Sequence, residues 1–191
     1  MGNVFGKWLA AATVGGLVCL SCAYAGDATA LKGRAGGPAT QLIQVGAEPV
    51  AFTLKDLEKL DVSLEDYRGD KAVLLTFWSF FCGPCREEIP LLDTLGKKYA
   101  AEGFEILAIN LDGPRLEKAV RKYMASNGFT FRVLWEELEG VSYVTADAYG
   151  VVGTPTLVLI GKDGKVSWTH VGRETPERIE AEVRKALSLG S

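Results

Sequence analysis

The sequence predicts an α/β domain: a mixed central sheet with helices on both faces. Three observations predict it. Val73–Trp78 and Phe104–Asn110 are largely apolar runs of strand length, as expected for strands buried on both faces. Segments with helical periodicity follow each of them, which gives the alternation of strand and helix. Near the C-terminus, Lys162-Asp163-Gly164 lies between two further apolar segments and signals a hairpin, so the sheet is not wholly parallel.

The elements follow in order. The folded domain begins near Glu48-Pro49 and runs to residue 191. Val50–Leu54 and Val62–Leu64 read as short strands around an irregular connection. Val73–Trp78 is the central strand. A helix is expected from Cys82 to Ala101, then the strand Phe104–Asn110. Leu116–Asn127 is helical and stops at Gly128. Phe131–Leu134 is a short strand, and Thr156–Ile160 and Lys165–Val171 flank the hairpin turn. Thr175 caps and Pro176 opens the last helix, which ends near Leu187.

The 191 residues are 48% apolar, enough for a real core. A net charge of −3, from 21 basic and 24 acidic residues without a basic run, gives no footprint for nucleic acid. The acidic stretch Glu136-Glu137-Leu138-Glu139 reads as a solvated loop or helix end.

Lys7 precedes an uncharged segment spanning residues 8–26, and Ala23-Tyr24-Ala25 has the A-x-A form of a cleavage site. Residues 1–25 are therefore expected to be a signal peptide, with an uncleaved anchor as the alternative and lipidation at Cys22 as a third reading. Cys19-Leu20-Ser21 fits a lipobox poorly. Each reading places the rest of the chain outside the cytoplasm, in the periplasm or its equivalent. Residues 26–47, rich in Gly, Ala and Thr, read as a flexible tether.

A cleaved chain keeps two cysteines, Cys82 and Cys85, within FWSFFCGPCREEIP. So small a loop constrains little of the unfolded chain, which argues against a structural staple. Cys82 lies where strand becomes helix. A helix N-terminus offers unpaired N–H groups and a partial positive charge, and both favour a thiolate. Lowering a thiol from about 8.5 to about 7 makes half of it reactive at neutral pH. Pro84 suits the first helical turn, and Cys85, one turn along, is placed to resolve a mixed disulfide formed at Cys82.

Two other chemistries fit the pair less well. A metal site needs more ligands than one CxxC and one histidine supply, and His170 reads as a sheet-face residue. A thiol peroxidase of the peroxiredoxin kind has a Thr or Ser three residues before its cysteine, where Ser79 stands. It also has a proline four residues earlier, where this chain has Leu75.

FWSFFCGPCREEIP, together with GTPT at 153–156 and VAFTLKD…VSLEDYRGDKAVLLTFW, resembles the TlpA/ResA/DsbE branch of the thioredoxin superfamily over residues 48–188. The resemblance implies a thioredoxin fold with an N-terminal β-extension and a helical insertion. It implies extracytoplasmic thiol–disulfide exchange by a monomer whose only redox cofactor is the Cys82–Cys85 dithiol. Protein disulfides would be the substrates, apocytochrome c among them, and a membrane protein of the CcdA/DsbD type would supply electrons. It further implies a cis Pro155 beside Cys82, with Thr154 pairing to substrate, and a surface completed by Gly83, Pro84 and Phe81. Trp78 reads as core, with a wall of the site as the alternative. A peptide- or metal-binding module on the same fold is the non-enzymatic alternative.

The chain departs from ordinary thioredoxins. Thr76 replaces the buried Asp six residues before the first cysteine, and Phe81 replaces the usual Trp. A substitute proton acceptor is expected at Glu88, which shares a helical stripe with Cys85, Ile89, Leu92, Leu95, Gly96 and Tyr99. Glutamate there is also what the TlpA/ResA group carries. Glu87 points elsewhere, and Arg86 reads as a solvated face. Pro90 is expected to free the carbonyl of Arg86. With Gly83-Pro84 between the cysteines and no histidine there, the dithiol is expected to be reducing.

Overall fold

The structure, a computed structural model, describes residues 41–189. Residues 1–40, with the expected leader and most of the tether, lie outside the described residues.

The strands are β1 (Thr53–Asp56), β2 (Asp61–Ser63), β3 (Ala72–Trp78), β4 (Phe104–Asn110), β5 (Arg132–Trp135), β6 (Leu138–Glu139), β7 (Ser142–Tyr143), β8 (Thr156–Ile160) and β9 (Val166–Val171). The α-helices are α1 (Gly83–Tyr99), α2 (Glu117–Asn127), α3 (Val144–Tyr149) and α4 (Pro176–Ala186). Seven strands form one sheet in the order β2-β1-β5-β4-β3-β8-β9, and β6 pairs only with β7. β3, β4 and β5 are parallel, with Leu75 beside Leu107, and the outer pairs are antiparallel. The sheet is mixed, as the sequence predicts, and the fold is thioredoxin-like.

Every residue of β3 is buried, which explains its unbroken apolar run. Its Val73, Leu75 and Phe77 face a core shared with Tyr149 of α3 and the N-terminal extension. Ala72, Leu74 and Trp78 face the side covered by α1, α2 and α4. The switch from β3 into α1 therefore occurs at the end of a fully buried interior strand, and residues 79–82 emerge at its C-terminal end with their position fixed from below.

Three expectations need correction. Residues 42–47, assigned to the tether from composition, lie against the domain: Ile43 donates its N–H to Tyr149 O at 2.9 Å, and Gly46 donates to Val166 O at 2.7 Å. Leu42 and Ile43 pack on the core. Gly150 leaves room for this segment, because a Cβ there would run into the Gln41 carbonyl. The first strand begins at Thr53 rather than Val50, because pairing with β2 starts only there and pairing with β5 only at Lys55. Finally, Glu136 is not solvated. It is 3% exposed, and its carboxylate accepts N–H bonds from Glu137, Thr145 and Ala146. It thereby caps α3, a six-residue helix absent from the sequence reading. Burial still pushes the Glu136 carboxyl up, and those N–H donors act against it.

Candidate active site

Cys82 is the N-cap of α1, and Pro84 stands in its first turn. The two cysteines are joined, with Cα atoms 5.3 Å apart. Cys85 donates its N–H to Cys82 Sγ at 3.2 Å. Cys85 is 1% exposed, whereas Cys82 is half-buried and lies between exposed Phe81 and Gly83. An outer sulfur over a helix N-terminus and an inner sulfur behind it is the arrangement that nucleophile and resolver require.

The Thr154–Pro155 peptide bond is cis, and Cys82 Sγ lies 3.5 Å from Thr154 O. Phe81 is 76% exposed and Val152 80%, and Gly83, Pro84 and Gly153 are exposed near them in the chain. This surface offers apolar contact and backbone groups at the reactive sulfur. Trp78 is not part of it. The residue is fully buried and packs against Tyr123, with ring centroids 6.3 Å apart. It lies in the core cluster with Cys85 and Ile89, so it supports the site from beneath and meets no substrate.

Glu88 is 3% exposed. Its Oε1 accepts from Glu174 N–H at 3.1 Å, and its Oε2 is buried without a hydrogen-bond partner. Burial pushes this carboxyl up, opposed by the Glu174 N–H and by His170 and Arg173 nearby. Glu88 is thus a buried carboxyl one helical turn from Cys85. Glu87 is exposed and pairs with Arg173 at 2.5 Å. Pro90 lacks the N–H that would bond Arg86 O, and Tyr123 Oη donates to that carbonyl instead at 3.3 Å. The Arg86 guanidinium is not merely solvated: it covers the Phe80 and Tyr123 rings at 5.3 and 5.2 Å.

One residue of the site escaped sequence reading. Asp112 accepts from Ser79 Oγ at 2.7 Å, from Phe80 N–H at 2.6 Å and from Asn110 Nδ2 at 3.1 Å. It ties the β4–α2 connection to the turn that delivers Cys82. Ser79 also accepts from Phe81 N–H at 3.2 Å, so its hydroxyl braces this turn. The single hydroxyl hydrogen points to Asp112, which leaves none for the peroxide-orienting role that a peroxidase would ask of it. The sequence clue was the Asn110-Leu111-Asp112 turn directly after a buried strand.

Comparison with known proteins agrees with this geometry. The AhpC/TSA family profile matches residues 45–169. The chain is 39% identical over 138 residues to the thiol-disulfide oxidoreductase ResA of Geobacillus thermodenitrificans, covering 72% of this chain and 75% of that protein. It is 36% identical over 143 residues to ResA of Bacillus thuringiensis, covering 75% and 79%. A DsbE-type thiol:disulfide interchange protein from Chlorobium tepidum superposes with a TM-score of 0.66 at 34% identity, covering 77% of this chain and 99% of that one.

Proposed function

This chain belongs to the AhpC/TSA family and is a thiol–disulfide oxidoreductase of the ResA-like kind, and we propose that it acts as a reductant of protein disulfides outside the cytoplasm. The observation that carries this reading is the pairing of a half-buried, helix-capping Cys82 with a fully buried Cys85, beside the buried carboxyl of Glu88.

The Cys82 thiolate attacks a substrate disulfide, and one substrate sulfur leaves with the electron pair of the broken bond. A mixed disulfide joins Cys82 to the other substrate sulfur. Cys85 gives its proton to Glu88 and attacks Cys82 Sγ. The Cys82–Cys85 bond forms, the second substrate sulfur leaves, and it takes up a proton. The dithiol has lost two electrons and the substrate has gained two. Phe81, Gly83, Pro84, Thr154 and Pro155 form the surface on which the substrate chain lies, with the Thr154 backbone pairing to it as to an added strand.

Apocytochrome c, whose CxxCH cysteines must be reduced before haem attachment, is the substrate we place first, on the strength of the TlpA/ResA/DsbE resemblance. Re-reduction requires a donor able to pass electrons across the membrane, and a CcdA/DsbD-type protein has that chemistry. A signal peptide at residues 1–25, or an anchor there, would deliver the domain to that compartment as a monomer. The test is capture: Cys85→Ser in cells should accumulate mixed disulfides through Cys82, and the captured chains should include c-type apocytochromes. Absence of any Cys82-dependent adduct would contradict the reductant reading.

A further inference from the structure

Three consecutive residues of the β9–α4 loop each hold a different part of the site. Gly172 donates its N–H to Pro155 O at 2.7 Å. Arg173 pairs with Glu87 at 2.5 Å. Glu174 donates its N–H to Glu88 Oε1 at 3.1 Å. The first contact requires a glycine, since φ at 172 is 91°, in the left-handed region. The loop thus joins the Pro155 turn to the helix that bears the cysteines.

His170 fixes this loop. Its Nε2 lies 3.2 Å from Arg173 O, and because a carbonyl only accepts, Nε2 carries the hydrogen. Its Nδ1 lies 3.5 Å from Glu174 Oε2. The ring lies parallel to buried Trp168, with centroids 5.7 Å apart and planes 4° apart. The imidazole is therefore held by a core side chain on one side and donates to the Arg173 carbonyl on the other, with Nδ1 facing the Glu174 side chain.

We infer that His170 is a positioning residue for the dithiol reaction: it pins the 172–174 loop, so that Glu88 and Pro155 keep a fixed relation to Cys82 and Cys85. The inference rests on the reading of Glu88 as proton acceptor for Cys85. Glu174 N–H is the hydrogen bond that the Glu88 carboxyl has, and its other oxygen is buried without one. The titratable and charged groups around Glu88 are His170, Arg173 and Glu174, from β9 and its loop. If the loop is loosened, Glu88 loses a donor that favours its charged form, and it holds its proton to higher pH.

The test is the pH dependence of resolution of a mixed disulfide between Cys82 and an aromatic thiol such as thionitrobenzoate. Cys85 passes its proton to Glu88, attacks Cys82 Sγ and expels the coloured thiolate, which reports the rate. His170→Ala should move the Glu88-dependent limb upward by about one pH unit, a tenfold change in proton binding. His170→Gln, whose amide N–H still reaches Arg173 O, should restore most of the wild-type profile. In a Glu88→Gln background neither substitution should shift it. His170→Asn, polar but too short to reach Arg173 O, should behave as Ala does, and it decides the matter if the Ala variant does not fold. A loosened variant whose profile overlays that of wild type overturns the inference, as does a shift that survives in Glu88→Gln. A Glu88→Gln profile identical to wild type is a different failure: it removes the Glu88 reading itself, and the role of His170 falls with it.

Discussion

Cys82 caps the helix that carries Cys85: the Cys85 N–H donates to Cys82 Sγ at 3.2 Å. Once the disulfide opens, the same N–H and the helix terminus favour a thiolate at Cys82. Among the described residues no group donates a hydrogen bond to the Cys85 sulfur, and Cys85 is 1% exposed. Alkylation of the reduced protein at about pH 6, well below the ordinary thiol value of about 8.5, should therefore label Cys82 first. Mass mapping that finds Cys85 labelled first would reverse the two roles.

Glu88 gives a prediction with a definite sign. Burial raises its carboxyl above the ordinary range. A raised value means that the fold favours the protonated form. The stability this form contributes is complete at acid pH and is lost as pH rises through the raised value. Glu88→Gln should remove that loss, so its denaturation midpoint above neutrality should equal or exceed that of wild type, with the difference closing toward acid. The same variant should slow mixed-disulfide resolution by about a hundredfold, near the lower end for general acid–base catalysis. A variant that is less stable above neutrality and equally fast would contradict both statements.

Asp112 braces the turn before Cys82 through Ser79 and Phe80. Asp112→Ala removes hydrogen bonds to a charged group and should cost about 2 kcal/mol. With a urea slope of about 2 kcal/mol/M, that is a midpoint lower by about 1 M. Urea unfolding checks it, and alkylation of Cys82 should become less selective over Cys85 in the same variant.

Glu136 has a purely structural expectation. Six residues cannot sustain a helix alone, so α3 depends on its cap and its packing. Glu136→Ala leaves the buried N–H groups of Thr145 and Ala146, and the part-buried one of Glu137, without their acceptor and should destabilise the domain by about 2–3 kcal/mol, with Glu136→Gln costing less because one oxygen still accepts. Equal midpoints for wild type and Glu136→Ala would show that these N–H groups find water.

What the sequence made legible was whatever is local. The apolar runs at 73–78 and 104–110, the Thr175-Pro176 helix start and the Gly128 stop each follow from neighbouring residues, and the structure places them within a residue or two. The carbonyl of Arg86, freed by Pro90, is likewise a local consequence, although its acceptance from Tyr123 is not. What was illegible is held from far along the chain. Residues 42–47 have a linker's composition, yet Ile43 bonds to Tyr149 and Gly46 to Val166. Glu136 sits in an acidic run that reads as solvated, and only its distance-spanning bonds to Thr145 and Ala146 bury it. Trp78 ends a strand just before the cysteines, and the sequence could not tell whether it faced the substrate or the core. Asp112 braces a turn 33 residues earlier in the chain, through a contact that no spacing rule encodes.

The Cys82–Cys85 dithiol is expected to donate electrons. The most direct measurement is the equilibrium between Cys82–Cys85 disulfide and dithiol in defined thiol redox buffers, read by intact mass after acid quench and alkylation. A Gly83-Pro84 dipeptide and a helix terminus stabilise the thiolate only moderately, and the reduced form is correspondingly not favoured as in strong oxidants. The predicted potential lies near that of thioredoxin, about −270 mV, and far from that of DsbA, about −120 mV. A value above about −180 mV, the level of protein disulfide isomerase, would make the protein an oxidant or isomerase and rule out a role as reductant.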